Sequence, residues 1–403
     1  MKQLQGRLSR NTLALLISNA GSAILSFGLS VIIGRVLGQT SLGIYASTLA
    51  WIFPLSLITE FGIGTLITRD VAQAPDNSHA YLRASIIARL MMGSVLMLMV
   101  WLLAPVLSDD TLVQVGLRIA SPMIIILPFY SSFTAIFRAK QIMMPIALLN
   151  LGMLIVQVTW TAIAVWLGSD ILMLLVINTV TSALQLIGAW TVYRRQFYRP
   201  TKHIITLEHL LRRASPFAVA AILAAIQSRI IIILLEQFTA TDAVGSYSAA
   251  FRFIEAGRLL PHAFFDALFP LLAGLATIRD DLNHMFRRVL LGLTGFGVLF
   301  ASVITVIATP LITLTYGMAF IDTSEILVIL AWGLLPMLLK SGRTLYWYAL
   351  GQEGYVNFIT GVVIVLQVLL SLWLIPSYGV IGAAYVVIIT EICACLLLFV
   401  KRA

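Results

Sequence analysis

The chain has 403 residues, of which 60% are hydrophobic and only 11% are charged, and its formal net charge is +9. A water-soluble domain cannot bury that much apolar surface, so the composition predicts a protein whose solvent is the lipid bilayer. The two cysteines, Cys393 and Cys395, stand two positions apart on one predicted helix, so neither a disulfide framework nor a metal site is indicated.

Apolar runs long enough to cross a bilayer recur along the whole chain, at about 20 residues for each span. The first half is predicted to hold six, at 11–34, 42–66, 84–106, 111–134, 143–167 and 170–192. Six more follow at 214–236, 243–271, 289–309, 324–348, 355–375 and 379–400. No small-residue cleavage site follows the first run, so we expect that helix to be retained. The sequence therefore predicts an all-α polytopic membrane protein of about twelve transmembrane helices.

The longest polar segment separates these two sets of six helices. Residues 193–213 carry six cations and are predicted to form a cytoplasmic basic linker between an N-terminal lobe, 1–192, and a C-terminal lobe, 214–403. The halves are weakly similar: Gly43 and Tyr45 begin the second helix as Gly245 and Tyr247 begin the eighth, at an offset of 202 residues. An even number of helices in each half predicts a parallel repeat, which is a common transporter plan.

Cationic residues collect on one face when successive loops are assigned to alternate sides of the membrane. With the N-terminus inside, the cytoplasmic segments hold 20 of the 26 Lys and Arg residues, and the opposite face holds Arg35 alone. The positive-inside rule therefore predicts that both termini lie in the cytoplasm. The same clustering in short loops explains the net charge without nucleic acid as a partner.

Five arginines remain inside the predicted spans once the cations assigned to loops are set aside, and a charge there is costly unless it faces a polar cavity or a partner. Arg89 lies about six residues from the cytoplasmic end of its helix, so we expect its long side chain to reach the interface. Arg118, Arg229 and Arg252 each lie about seven or eight residues from the outer ends of their helices, close to one level at about 1.5 Å per residue. Arginines at one level are predicted to bind an anion, and Arg suits phosphate well.

The eighth predicted helix carries a polar stripe. At about 100° per residue, five side chains fall within an arc of roughly 120° and are predicted to face a wet interior. The members of the stripe are Arg252, Glu255, Arg258, His262 and Asp266. The residues expected to bind substrate are Arg118, Arg229, Arg252, Arg258 and His262. The alternative is that Arg252 or Arg258 pairs with Glu255 and only fixes helix packing.

Three acids are candidates for coupling transport to a proton or a sodium ion: Glu60, Glu255 and Asp266. Glu60, near the inner end of the second helix, either binds the coupling ion or pairs with Arg69 or Arg138. Glu391 lies in the middle of the last span, where a structural hydrogen bond to a neighbouring helix explains it at least as well as a role in transport does. The sequence has no phosphate-binding P-loop, no His-Glu-x-x-His motif and no Gly-x-Ser-x-Gly motif. Because its loops are also short, we expect no enzyme activity and no cofactor.

Short segments at 34–45, 61–72, 244–252, 269–273 and 379–385 resemble Wzx-type polysaccharide-biosynthesis flippases. These proteins belong to the multidrug/oligosaccharidyl-lipid/polysaccharide superfamily. The resemblance implies a V-shaped bundle of two lobes that carries an undecaprenyl-pyrophosphate-linked oligosaccharide, an O-antigen or exopolysaccharide repeat unit, across the inner membrane by alternating access. It implies membrane lipid and the lipid-linked oligosaccharide as partners, together with glycan polymerase or assembly proteins.

Other functions would leave different traces in the sequence. A multidrug exporter of the same superfamily would share the architecture but favour acidic cavity residues for cationic drugs. The lipid II flippase branch typically has two further helices. A membrane-embedded glycan polymerase or ligase would carry a larger periplasmic loop than any outer loop predicted here.

Overall fold

The computed structural model describes residues 2–198, 204–275 and 279–400, with side chains from residue 14 onward except at several positions between 262 and 283. Within these ranges the backbone is helical and contains no β-strand. The α-helices are α1 (Lys2–Glu60), α2 (Ile63–Gln73), α3 (Ser78–Leu107), α4 (Thr111–Ala120), α5 (Met123–Ala139), α6 (Met144–Trp166), α7 (Ile171–Gln196), α8 (Leu207–Phe238), α9 (Thr241–Leu275), α10 (Arg279–Thr315), α11 (Thr323–Ala349) and α12 (Glu353–Val400). The predicted all-α class is confirmed.

Two of these helices each consist of two shorter helices that meet at a glycine. The break in α1 is at Gly38 (φ 86°, ψ 179°), and the break in α12 is at Gly379 (φ 56°, ψ −133°). We expected loops at 35–41 and 376–378, but the chain instead remains helical on both sides of each glycine. A single glycine is enough to change the direction of the helix, because glycine has no Cβ and adopts a positive φ at little steric cost.

Nine helical stretches of the described chain are long and apolar enough to cross a membrane. Counting both halves of α1 and of α12, and adding the 35-residue α9 with its charged stripe, gives the twelve predicted spans. Large apolar side chains are exposed along the spans, as in α3, where Leu102 is 62% and Val106 is 76% exposed. Surface of this kind is compatible with lipid chains and identifies a multi-pass membrane protein.

Two predicted spans are each divided in the structure. The span at 111–134 becomes α4 and α5, separated at Ser121 and Pro122, because proline has no N–H to continue the helical hydrogen bonds. The span at 42–66 breaks at Phe61 and Gly62, which both have positive φ values of 48° and 66°. This second break brings the backbone N–H of Gly64 to the carboxylate of Glu60.

The described chain packs as two compact units. The first holds residues up to Leu29 together with Ser47–Arg229, and the second holds Ser30–Ala46 and the residues from Ile230 onward. The first two-thirds of α8 therefore pack with the first unit, whereas the segment around Gly38 packs with the second. A polar linker marks where a chain leaves the membrane but does not decide which helices contact each other. The division into six-helix lobes at 193–213 stays a prediction.

A buried core in the first unit joins α2, α3, α5 and α7 to the start of α8. Its larger members include Leu66, Tyr81, Phe137, Tyr193 and Leu210, all at most 6% exposed. The N-terminal part of α8 also packs on the break in the second predicted span, because a Cβ at Gly62 would lie 2.7 Å from the backbone nitrogen of Ala218. This core packs together α2 and α3, which carry the buried charged residues Asp70 and Arg89.

Candidate functional site

Glu60 ends α1 and is held by the backbone that follows it. Because the chain turns at Phe61 and Gly62, the N–H of Gly64 lies 3.1 Å from Oε1 of Glu60 and donates to it. The hydroxyl of Ser131 on α5 donates to the same oxygen at 2.8 Å. A Cβ at position 64 would collide with this carboxylate oxygen, so the close approach requires glycine.

Arg89 on α3 provides the counter-charge for this carboxylate. Its Nη2 lies 2.9 Å from Oε1 of Glu60, and its side chain is fully buried. Its Nη1 donates to the carbonyl oxygen of Pro128 at 2.5 Å and to the hydroxyl of Ser132. Our expectation that Arg89 reaches the interface was wrong, because a carboxylate and two oxygen acceptors on neighbouring helices replace water within the protein. Glu60 was expected to pair with Arg69 or Arg138 if it served packing, and its partner is a third arginine.

The polar stripe of α9 contains an ion pair between Arg252 and Glu255. Nη1 of Arg252 lies 2.8 Å from Oε2 of Glu255, three residues along the helix, and the two side chains are 32% and 38% exposed. Arg258, one turn further on, is half-buried and makes no ion pair with a described residue. The structure thus contains the pairing that we considered as the alternative to a free cationic stripe. Because an arginine has five N–H donors, the pair leaves others available.

Two further arginines of the predicted cavity lie against aromatic rings. The guanidinium carbon of Arg229 is 5.4 Å from the ring centroid of Phe53, and that of Arg118 is 5.8 Å from the ring centroid of Trp101. Such distances are those of cation–π contacts. Arg118 and Arg229 belong to the first packing unit and Arg252 to the second. Their position around one level of a cavity stays a prediction.

The last two residues of the stripe, His262 and Asp266, lie on α9, but their side chains are outside the part of the chain that the structure describes. Their predicted roles in substrate binding and ion coupling stay predictions. Among the side chains that are described, no three His, Cys, Asp or Glu residues come together in a way that would hold a metal ion.

Asp70 on α2 is a second buried carboxylate, and it contacts three side chains at once. The sequence did not indicate this cluster. The oxygens of Asp70 lie 2.9 Å from Nη1 and 3.2 Å from Nη2 of Arg213, at the start of α8. Tyr81 donates its hydroxyl to Asp70 at 2.6 Å, and Nε of Arg69 lies 3.0 Å away. Such a two-pronged arginine–carboxylate pair is among the stronger hydrogen-bonded arrangements in proteins. From the sequence, Arg213 is only a cation of the basic linker, and Arg69 is a loop cation or a partner of Glu60.

A third group of charges joins α11 to α12 in the second unit. Lys340 lies 2.7 Å from Oε1 of Glu391, which explains this mid-span acid by a contact with a neighbouring helix. Arg343, only 9% exposed, donates from Nε to the carbonyl oxygen of Leu398 at 3.2 Å. Four aromatic rings, Phe286, Tyr346, Trp347 and Phe399, have centroids 4.5–5.6 Å from its guanidinium carbon. The positive-inside count places both cations on the cytoplasmic side, and the structure shows that both have partners on a neighbouring helix.

Comparison with known proteins agrees with this architecture. Residues 8–276 match the model of the polysaccharide biosynthesis protein family, whereas no individually curated protein matches the sequence. Lipid II flippase MurJ in an inward closed conformation is 18% identical, with 95% of this chain and 86% of that chain covered and a TM-score of 0.78. An inward-facing multidrug resistance MATE family transporter of the MOP superfamily is 14% identical, with 96% of each chain covered and a TM-score of 0.79.

A further solved structure concerns a MOP superfamily transporter from Pyrococcus furiosus, in which reverse polarity of the binding pocket suggests a different function. It is 13% identical, with 98% of this chain and 94% of that chain covered and a TM-score of 0.66. At these identities the structural matches establish the fold alone. Because the family model covers well over half of the chain, the chain belongs to the polysaccharide biosynthesis protein family, with the fold of MOP superfamily transporters.

Proposed function

We propose that this protein is a flippase that moves an undecaprenyl-pyrophosphate-linked oligosaccharide across the bacterial inner membrane by alternating access. Its family and its fold support transport of a lipid-linked substrate. The observation that carries the proposal is the Arg252–Glu255 pair, which stays about one-third exposed on a helix within an apolar bundle. A polar headgroup needs such a wet, charged surface, whereas the polyprenyl chain can remain in lipid.

Arg252 is suited to a diphosphate headgroup. One of its terminal nitrogens is directed to Glu255, and its remaining donors can bind phosphate oxygens in the forked geometry that Arg favours. Glu255 holds the guanidinium in place when no anion is bound. In this scheme Arg118, Arg229, Arg258 and His262 supply further donors along the substrate's path, and transport needs no enzymatic step.

Ion coupling would require a carboxylate that exchanges partners during the cycle. Glu60 is the best-defined candidate, because its carboxylate is 14% exposed and its partner Arg89 is fixed by two other acceptors. A proton or a sodium ion that replaced Arg89 at Glu60 would alter the contact between α1 and α3. Glu255 and Asp266 are the corresponding candidates on α9.

The export test uses three variants: Arg252→Gln, Glu255→Gln and the double replacement. If Arg252 binds substrate, Arg252→Gln keeps normal abundance but lowers export of surface glycan, and the double variant stays defective. Arg287→Gln is the matched control, because it removes an exposed cation from α10. Recovery of both abundance and export in the double variant would instead assign Arg252 to helix packing.

The distribution of cations supports the proposed orientation, with both termini in the cytoplasm. The proposed function supplies the rest of the setting: the inner membrane, and glycan polymerase or assembly proteins that receive the product on the periplasmic side. The substrate therefore enters from the leaflet in which it is synthesised.

A further inference from the structure

Gly43 and Gly245 lie against each other where α1 crosses α9. A Cβ on Gly43 would lie 2.8 Å from the carbonyl carbon of Thr241 and 3.1 Å from the backbone nitrogen of Gly245. A Cβ on Gly245 would lie 2.8 Å from the carbonyl carbon of Gln39 and 3.1 Å from the backbone nitrogen of Gly43. The two helices therefore meet backbone to backbone, an approach that only glycine permits at both positions.

This contact has the symmetry of the repeat. Gly43 and Gly245 are equivalent at the offset of 202 residues, and so are their partners Gln39 and Thr241. Gly43 contacts Thr241, and Gly245 contacts Gln39, so the repeat relates the two contacts to each other. This is the pattern of an isologous contact across a two-fold axis. Both glycines lie within about two turns of a helix start, Gly38 in α1 and Thr241 in α9. Both starts are predicted to be periplasmic.

Polar contacts hold the same segment of α1 against the end of α10. Arg35 donates from Nη1 to the carbonyl oxygens of Leu314 and, at 3.2 Å, of Thr315. Gln39 donates from Nε2 to the carbonyl oxygen of Ala319 at 2.6 Å. A cation at the last carbonyls of a helix is favourable because those groups carry the negative end of the helix dipole. These contacts can be exchanged for water, whereas the glycine contact depends on shape alone.

Buried hydroxyls adjoin the crossing without hydrogen-bond partners among the described residues. They belong to Ser47, one turn beyond Gly43, and to Ser248, three residues beyond Gly245. A buried hydroxyl that lacks a partner destabilises the state that buries it, because water would satisfy it. The packed crossing is therefore a state that gains hydrogen bonds when water enters.

We propose that the Gly43–Gly245 crossing is the closed periplasmic gate of the transport cycle and that the absence of side chains at these two positions sets how completely it closes. The proposal rests on the proposed function, because alternating access requires the two repeats to separate on this side while substrate leaves. Opening parts the backbones and hydrates Ser47 and Ser248. A methyl group at either glycine prevents full closure.

Thiol labelling tests closure without a transport assay. In a variant with Cys393→Ala and Cys395→Ala, a cysteine replacing Ser248 is treated from the periplasmic side with a small, membrane-impermeant methanethiosulfonate. We expect little labelling with both glycines present and at least several-fold faster labelling after Gly43→Ala or Gly245→Ala. Gly28→Ala is the matched control, because a Cβ at this glycine on α1 meets nothing within 4 Å. Equal labelling in all four proteins would overturn the proposal.

A second arm keeps both glycines and so does not depend on whether the alanine variants fold. Cysteines replacing Gln39 and Thr241, one turn from the crossing on each helix, are joined by a short bifunctional reagent that a reductant cleaves. We expect the cross-linked protein to retain its abundance, to lose export and to recover export after cleavage. Unchanged export by the cross-linked protein would refute the gate. Absence of glycan export in the protein that keeps Gln39 and Thr241 would instead refute the proposed function and leave the labelling result to decide the gate.

Discussion

Removing one charge of the buried Glu60–Arg89 pair is expected to destabilise the protein strongly. In Glu60→Gln, Arg89 stays fully buried with Pro128 and Ser132 as acceptors but without a carboxylate 2.9 Å away. Breaking a buried pair in this way typically costs about 3–5 kcal/mol, because an uncompensated charge remains. The amide of the new glutamine still accepts a hydrogen bond, so we expect a value near the lower end of that range.

The double replacement separates the ion pair from ordinary packing. Glu60→Gln with Arg89→Met removes both charges, and replacing a buried pair in this manner is often neutral or stabilising. We therefore expect the double variant to recover at least about 2 kcal/mol relative to Glu60→Gln, which a double-mutant cycle reports as coupling energy. Arg69→Gln is the surface control, because Arg69 is 46% exposed and its pair with Asp70 is worth about 0–1 kcal/mol.

The assay is reversible unfolding of the purified protein in mixed detergent micelles, followed by tryptophan fluorescence, with gradient-dependent transport measured on the same preparations. A free energy of unfolding for Glu60→Gln within about 1 kcal/mol of the parent, or single effects that simply add, would refute the pair as a source of stability. Loss of gradient dependence in a stable double variant would assign Glu60 to ion coupling as well.

Three further predictions follow from contacts that are equally well defined. Gly64→Ala should lower the free energy of unfolding by about 1–3 kcal/mol, because the added methyl group collides with the carboxylate of Glu60. Gly152→Ala is the control and should not lower it, because the space around Gly152 is open. Equal stability of the two variants would contradict this prediction. Arg343→Lys should lower it by about 1–2 kcal/mol through weaker contact with the four rings and with Leu398, and an unchanged unfolding transition would show that the ring contacts contribute little. Tags at both termini should be digested by protease only in inverted vesicles, and digestion of the C-terminal tag in intact spheroplasts would overturn the even number of spans.

The sequence by itself determined the solvent, the class and most of the spans, since these depend on local quantities. The length of an apolar run is fixed by the thickness of the bilayer, and every backbone group in lipid must bond within its own helix. The sequence also indicated the paired motifs around Gly43 and Gly245, because an internal repeat can be found by comparing one half of the chain with the other. The sequence did not reveal that these two glycines touch each other.

Only the tertiary structure decided which charges meet. Asp70 pairs with Arg213 across 143 positions of the chain, and Lys340 with Glu391 across 51. Arg89 was misjudged because depth from the nearest helix end was the only guide available, and that depth does not say which neighbouring helix presents a carboxylate. A buried charge is stabilised by groups within a few ångströms, and those groups come from helices whose packing depends on the shape of whole surfaces rather than on local pattern.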